Sequence, residues 1–175
     1  AAGACLTLVP RFDPTTALKV IERDRVTVFE GVPTMYVAML NAGADVADTS
    51  TLRLGISGGA ALPVEVLRGF EQAFDTPILE GYGLSETSPV ATFNTPTQRK
   101  PGSIGVPIAG VELKLVDLEG EVGEIAIRGH NVMKGYWQRP DASMAAIRDG
   151  WFHTGDMGRR DEDGFYFIVD RKKDL

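Results

Sequence analysis

The sequence of 175 residues contains only one cysteine, Cys5. A single cysteine cannot form an internal disulfide, so a scaffold held together by disulfides is excluded and a reducing compartment is expected. Because Cys5 lies in the apolar run of residues 5–9, we predict that it packs as a small hydrophobic side chain.

Long apolar runs and an excess of basic residues are also missing. No run approaches the roughly 20 apolar residues that span a bilayer, and no basic-then-apolar signal opens the chain. The balance of 18 basic against 24 acidic residues gives a net charge of −6, which disfavours nucleic acid as a partner, since phosphate binding needs a basic face. Hydrophobic residues at 43% and charged residues at 24% are ordinary for a globular protein.

In the first 95 residues, predicted strands alternate with predicted helices. Asp13-Pro14 supplies an N-cap and a first-turn proline for one helix, and prolines open the other two. Because the pattern repeats strand, helix, strand, it predicts βαβ units and a parallel sheet. We place the strands at residues 5–9, 26–29, 52–56 and 77–79, and the helices at 14–24, from Pro33 to near Gly43, and from Pro63 through Phe74.

After residue 95 the pattern changes to a period of two. Apolar Val111, Leu113 and Leu115 alternate with charged residues, which is typical of a half-buried strand. Residues 124–128 alternate in the same way after a predicted hairpin turn at residues 117–122, and Asp163-Gly164 predicts another turn before a strand that ends at Val169. We therefore predict a small antiparallel β region over residues 96–169, interrupted by one short helix that starts near Pro140.

The segment Glu80–Glu86 carries the densest set of chemically useful groups in the chain. Its glycines allow a close backbone approach to a ligand, Tyr82 offers a flat ring, Ser85 a hydroxyl and Glu86 a carboxylate that can bind a hard cation. It follows a predicted buried strand, at the edge where open α/β sheets bind ligands. The residues alone thus predict a nucleotide–metal site here, and residues 57–62 after the preceding strand are expected at the same edge.

Five motifs, in the same order along the chain, resemble those of the adenylate-forming enzymes, which include acyl-CoA synthetases, adenylation domains of peptide synthetases and luciferases. They are the Gly-Gly-Ala loop at residues 57–62, the Tyr-Gly-x-Ser-Glu motif at 82–86, the Gly-Glu-Ile motif at 123–129 with Gly-Tyr-Trp at 135–137, the Thr-Gly-Asp motif at 154–156, and the hinge at 170–174. The run Val26–Tyr36 is most similar to fatty acyl-CoA synthetases.

The resemblance implies an α/β fold: a parallel βαβ sheet region over residues 1–95, then a small antiparallel, barrel-like β region over residues 96–169. Both are expected to belong to the large N-terminal domain of an acyl-CoA synthetase-like fold. Residues 170–175 are expected to form the hinge to a C-terminal domain that the chain lacks. The phosphate loop with its lysine and the C-terminal lysine of the family are not found, so we predict that this chain is an internal fragment and is inactive alone.

In the family, ATP and a carboxylic acid form an acyl-adenylate, and coenzyme A then displaces AMP to give a thioester. The resemblance implies a fatty acid, ATP/AMP, Mg²⁺ and coenzyme A as substrates or cofactors, and a cytoplasmic location, with peripheral association at the inner membrane face left open. An enzyme that adenylates amino acids or aryl acids is an alternative, although an amino-acid pocket needs a carboxylate for the substrate ammonium. A non-catalytic AMP-binding module is a second alternative, and the oligomeric state stays open.

The same resemblance implies roles for individual residues. Glu86 is expected to bind magnesium and Ser85 to donate to the α-phosphate, as the catalytic pair. Tyr82 is expected on the adenine, and Asp156 and Arg171 on the ribose. The remaining residues expected at the nucleotide are Gly58, Gly59, Ala60, Glu80, Gly81 and Gly83.

Each of these residue types also has a purely structural interpretation. The glycines can serve tight turns, Ser85 and Glu86 can stabilise a helix start, and Tyr82 can be a core residue. Core packing is the equal or better interpretation for four residues that are weak candidates for the acyl pocket, Thr34, Met35, Tyr36 and Leu62. His153 receives no chemical role, and Lys173 matches the hinge position of the family.

Overall fold

The computed structural model describes residues 3–171, and these residues divide into two compact units within the ranges 1–79 and 80–175. The sequence predicted subdomain boundaries at residues 95 and 169, and these boundaries stay a prediction. Within the described residues no helix is long and apolar enough to cross a membrane. The α/β fold class predicted from the sequence is confirmed by the helices and strands of the two units, which are described separately below.

The first unit contains three helices and the parallel strands between them. Strands β1 and β2 pair in parallel register from Val28–Leu54 to Gly31–Ser57, which confirms the predicted parallel arrangement. The Gly55 amide donates to the carbonyl of Pro77, directly before the next strand, at 2.8 Å. In chain order the elements are α1 (Pro14–Asp24), β1 (Val28–Gly31), α2 (Pro33–Ala42), β2 (Leu54–Ser57), α3 (Val64–Phe74) and the start of β3 (Ile78–Tyr82).

Local signals set the helix ends as predicted. The Asp13 side chain accepts a hydrogen bond from the Thr16 amide, with Pro14 in the first turn of α1. At the other end Arg25 adopts a left-handed conformation, and the Val26 amide donates to the Ile21 carbonyl at 3.0 Å. The sequence pattern predicted that the next strand begins at Val26. Because Val26 takes part in this closing turn, strand β1 begins at Val28 instead.

The core of the first unit lies between its helices and strands. Leu67, Phe70 and Phe74 form the buried stripe of α3 that the helical spacing predicts. Tyr36 is fully buried, and its ring contacts those of Phe29 and Phe70 edge-on, at centroid distances of 5.3 and 5.0 Å. Its hydroxyl donates to the carbonyl of Ile56 at 2.7 Å.

The strand predicted at residues 5–9 is wrong. Residues 3–9 form no strand; Leu6 and Leu8 are 80% and 76% exposed, and Cys5 is exposed instead of packed. An apolar run becomes a strand only where a neighbouring strand can take up its backbone hydrogen bonds, and within residues 3–171 none pairs with this segment.

The second unit is built from antiparallel strands, which confirms the predicted change of architecture. The end of β3 pairs with β4 (Thr92–Phe93), and β4 pairs with β5 (Val106–Pro107). A further sheet has the strand order β10-β9-β7-β6, with β8 paired to β9. Its elements are β6 (Val111–Glu119), β7 (Val122–Gly129), α4 (Pro140–Ala146), β8 (Ile147–Arg148), β9 (Trp151–Arg160) and β10 (Tyr166–Arg171).

Two features of this sheet differ from the sequence pattern. Strand β9 was not predicted, because the residues on its buried face include Thr154, Asp156 and a glycine, which hide the period of two. On β7, residues 124–128 alternate as predicted, but burial does not follow the alternation, because Glu124 and Ala126 are 4% and 0% exposed. The cause at Glu124 is that polar side chains of β8 and β9 cover it.

Replacement of Tyr36 by phenylalanine tests the packing of the first unit. Tyr36→Phe removes the donor for the Ile56 carbonyl inside the core, so we expect the free energy of unfolding to fall by roughly 1–3 kcal/mol in urea denaturation. Tyr136→Phe removes a hydroxyl from a side chain that is 38% exposed and is the matched control, with an expected loss below about 0.5 kcal/mol. If both variants lose the same free energy of unfolding, the buried hydrogen bond of Tyr36 contributes no more to stability than the exposed hydroxyl of Tyr136.

Candidate functional site

Asp156 is presented by a bulge in strand β9. Between the pairs Glu124–Met157 and Ala126–His153, three residues of β9 lie opposite the single residue Ile125 of β7. Gly155, in the middle of the bulge, has a φ of +75°, a backbone conformation that favours glycine. Such a bulge interrupts the regular ladder, and Asp156 is the last of the three residues within it.

Both oxygens of the Asp156 carboxylate have partners from other strands. The hydroxyl of Tyr82, at the end of β3, donates to Oδ2 at 2.5 Å. Nε of Arg171, which lies opposite Asp156 in the β9–β10 register, is 3.2 Å from Oδ1. Asp156 therefore contacts both Tyr82 and Arg171, the two other residues that the family resemblance assigns to the same nucleotide.

The Tyr82 hydroxyl is a donor at neutral pH. Burial raises its pKa above the ordinary value of a tyrosine, and the hydrogen bond to the Asp156 carboxylate raises it further. The Asp156 side chain is itself only 13% exposed, so this bond forms where water competes poorly. The proton stays on the tyrosine, and Asp156 is held as the acceptor.

The glycines beside Tyr82 are required by their own chain. A Cβ on Gly81 would lie 2.4 Å from the ring of Phe93, and one on Gly83 would lie 1.6 Å from the carbonyl oxygen of Pro89. The structural interpretation of these two glycines is therefore sufficient to explain them. Their expected role at a nucleotide stays a prediction.

Glu80 also has a structural task. Its carboxylate, on a side chain that is 8% exposed, accepts from the Gly102 amide at 2.8 Å, and its carbonyl accepts from the backbone and side-chain amides of Asn94 at 3.0 Å. These bonds tie the loop before β5 to the end of β3. A direct contact between Glu80 and a nucleotide stays a prediction.

Ser85 and Glu86 begin a short 3₁₀ turn, Ser85–Thr87, directly after this strand. Ser85 is exposed. Oε1 of Glu86 accepts from the hydroxyl of Tyr136 at 2.8 Å, and its backbone carbonyl accepts from the Met133 amide at the same distance. Burial and the nearby carboxylate raise the pKa of Tyr136, so it is a donor to Glu86 at neutral pH.

A cavity of about 580 Å³ adjoins these groups within the second unit. Its polar lining contains two carboxylates, two guanidinium groups and an imidazole, so a charged ligand finds groups of both signs. Its wall includes Glu86, Glu124, Tyr136, Arg148, His153, Thr154, Gly155 and Arg171. Among residues 3–171, no cluster of three or more His, Cys, Asp or Glu side chains could hold a metal ion by itself.

Sequence reasoning missed several of these residues. Glu124, Thr154, Tyr136 and Arg148 received no role, and His153 was set aside. Glu124 gave a signal that could have been used, because a glutamate between Gly123 and Ile125 interrupts an apolar strand. Tyr136 stands in the Gly-Tyr-Trp motif, but nothing local links it to its partner Glu86, which is 50 residues away in the chain.

The Gly-Gly-Ala loop belongs to the first unit. A Cβ on Gly58 would meet nothing within 4 Å, and Gly59 has a φ of +80°, so the first position is open and the second needs glycine for its backbone. Tyr36 and Leu62 are 0% and 3% exposed, which favours core packing over a place in the acyl pocket. Lys173 and the rest of the expected hinge after Arg171 lie outside the described residues.

Comparison with known proteins gives one consistent family. The family model of the AMP-binding enzymes matches residues 1–137. The long-chain-fatty-acid–CoA ligase of Bacillus subtilis (strain 168) is 45% identical over 99% of this chain, and the match covers 32% of that ligase.

Two solved structures have the same fold. The anthranilate CoA ligase AuaEII in complex with anthranoyl-AMP superposes with a TM-score of 0.91 at 34% identity, over 98% of this chain and 35% of the other. The O-succinylbenzoate coenzyme A synthetase of Bacillus subtilis, in complex with ATP and magnesium ion, superposes with a TM-score of 0.83 at 32% identity, over 94% of this chain and 36% of the other.

The chain thus spans about a third of the length of the curated relative and of both structures. The family model covers most of the chain, and the identity to the ligase extends over nearly all of it. This chain belongs to the AMP-binding, adenylate-forming enzyme family.

Proposed function

We propose that this chain is part of an ATP-dependent acyl-CoA ligase that activates a fatty acid as its acyl-adenylate and transfers the acyl group to coenzyme A. The observation that carries the proposal is the convergence of Tyr82, Asp156 and Arg171 beside a polar cavity that Glu86 also lines. Membership of the family supports ATP and AMP as ligands. The fatty acid is supported by the name of the Bacillus subtilis relative.

Recognition of the ribose would fall to Asp156. A single carboxylate can accept from both vicinal hydroxyls, and a hydrogen bond to a charged group is worth roughly 1.5–3 kcal/mol. A ribose hydroxyl could replace Arg171 at Oδ1 of Asp156, because the Arg171 side chain is 60% exposed and can move aside. The Tyr82 hydroxyl fixes the other oxygen, and its ring would lie against the adenine, where stacking contributes roughly 1–3 kcal/mol.

Glu86 would supply the one protein ligand for magnesium. The chemistry fits, because Mg²⁺ prefers oxygen and is usually held by one or two carboxylates together with phosphate oxygens and water. A cluster of several carboxylates is therefore not needed. Magnesium, when bound, would neutralise phosphate charge as the acid approaches. Tyr136 would orient Glu86 by donating to Oε1, and Ser85, three residues after the end of β3, would donate to the α-phosphate.

An aryl acid is the second candidate substrate. The anthranilate CoA ligase, whose structure superposes with the higher of the two TM-scores, supports it. A free amino acid is a poorer fit, because the stretch from Val28 to Tyr36 offers only the Glu30 carboxylate to neutralise a substrate ammonium.

The substrate class can be measured in a chimeric ligase in which this chain replaces the matching third of the Bacillus subtilis relative. We expect palmitate to drive ATP–pyrophosphate exchange at least tenfold faster than an aryl acid or an amino acid. The chain alone, with ATP, magnesium and palmitate, is the control and should form no acyl-adenylate. Exchange driven best by anthranilate would replace the fatty acid with an aryl acid, and turnover by the chain alone would contradict the prediction that it is inactive alone.

Asp156→Asn in the chimera tests the ribose contact. The amide keeps the size of the side chain but loses the charge, so we expect kcat/KM for ATP to fall about 10- to 100-fold, from a loss of roughly 1.5–3 kcal/mol. Asp163→Asn is the matched control, because Asp163 is 71% exposed and pairs only with Lys100 among the described ion pairs. Equal activity of the two variants would remove Asp156 from the proposed site.

Glu86→Gln tests the metal contact through the magnesium dependence of the chimera. A neutral amide binds Mg²⁺ more weakly than a carboxylate, so the concentration for half-maximal activity should rise about tenfold or more. Glu121→Gln, in the exposed turn between β6 and β7, should leave the titration unchanged. An unchanged magnesium titration in Glu86→Gln would reassign Glu86 to the structural role that its contacts with Tyr136 and Met133 allow.

A further inference from the structure

Glu124 is a carboxylate buried inside strand β7, where its side chain is 5% exposed. Its neighbours on the strand, Gly123, Ile125 and Ala126, are all buried and apolar. A buried carboxylate is costly unless its charge and its lone pairs find partners. The contacts of Glu124 show what this carboxylate does in the second unit.

The two carboxylate oxygens of Glu124 face in different directions. Oε1 accepts from the backbone amide of Gly155 at 2.9 Å. Oε2 lies 3.4 Å from Nδ1 of His153 and 3.7 Å from Nη2 of Arg148. The guanidinium of Arg148 supplies the counter-charge that allows the burial, and the first oxygen holds the backbone of the β9 bulge.

Gly155 needs this acceptor because it sits within the bulge. Three residues of β9 stand opposite one residue of β7, so the regular ladder cannot pair every amide there. The next amide, of Asp156, is held by the hydroxyl of Thr154 at 3.1 Å, and that hydroxyl donates to the Ile125 carbonyl at 2.8 Å. The two consecutive amides on either side of the Gly155 Cα are thus each held by a side chain.

We propose that Glu124 is a positioning residue for ribose recognition: it fixes the Gly155 amide and thereby aims the Asp156 carboxylate at the vicinal hydroxyls of the nucleotide. This inference rests on the proposed function, in which Asp156 contacts the ribose. Glu124 itself touches no substrate in this scheme. Its effect on the nucleotide passes through one backbone amide of the bulge.

The test is discrimination between ATP and 2′-deoxy-ATP in the chimeric ligase, because a misaimed Asp156 loses mainly the hydroxyl contact. In the unmodified chimera we expect kcat/KM for ATP to be at least tenfold higher than kcat/KM for 2′-deoxy-ATP. Glu124→Met should lower this ratio at least fivefold and leave KM for the acid within twofold. Glu124→Gln keeps an oxygen for the Gly155 amide and should retain most of the discrimination. Glu112→Met, at an exposed glutamate of β6 that pairs with Arg128, is the matched control and should not change the ratio.

Glu124→Met combined with Asp156→Asn should lower the ratio no further than Asp156→Asn alone, because both act through one contact. If Glu124→Met does not fold, Glu124→Asp replaces it: the shorter carboxylate keeps the charge near Arg148 but withdraws from the amide, with the same expected loss. If Glu124→Met lowers kcat/KM equally for both nucleotides, or leaves the ratio unchanged, the inference is overturned while the proposed function stands. An unchanged ratio in Asp156→Asn would overturn the inference and would also remove Asp156 from the proposed ribose contact.

Discussion

The hydrogen bond from the Tyr82 hydroxyl to the Asp156 carboxylate joins the two parts of the second unit that carry the site. Tyr82 ends strand β3, and Asp156 stands on a bulge of β9, 74 residues later. Because the bond is buried, it is strong and its donor stays protonated. Arg171 completes the arrangement at the other carboxylate oxygen. The geometry of any ligand that contacts Asp156 is therefore constrained from both sides before binding.

The sheet that carries Asp156 also contains a second buried carboxylate, that of Glu124. Asp156 and Glu124 are both carboxylates of this sheet, and each lies near an arginine: Asp156 near Arg171 of the neighbouring strand β10, and Glu124 near Arg148 of β8. Such an arrangement costs stability compared with apolar residues and is retained where it holds a specific geometry. In this chain the geometry is that of the β9 bulge, and Glu124, Arg148 and Arg171 also line the cavity beside it.

The glycines of the motifs do different work, although they look alike in sequence. Gly83 is needed because the Pro89 carbonyl leaves no space for a side chain, and Gly155 because its φ is +75° in otherwise open space. Gly58 has neither constraint, since a Cβ there would meet nothing within 4 Å. An open glycine of this kind is compatible with a ligand that approaches the backbone, which is the role the family resemblance implies.

The sequence by itself determined the helix ends, the alternation of strands and helices in the first unit and the change to antiparallel strands in the second. These follow from local signals such as the Asp13 cap and the stripe of α3. Through motifs it also predicted that Tyr82, Asp156 and Arg171 contact one ligand, and the structure brings Asp156 into contact with the other two. Only the tertiary structure decided that β9 is a strand, that residues 3–9 are not, and that Glu124 holds the bulge. Burial, strand partners and contacts across 30 residues or more depend on which segments meet, and no local pattern of residues encodes that.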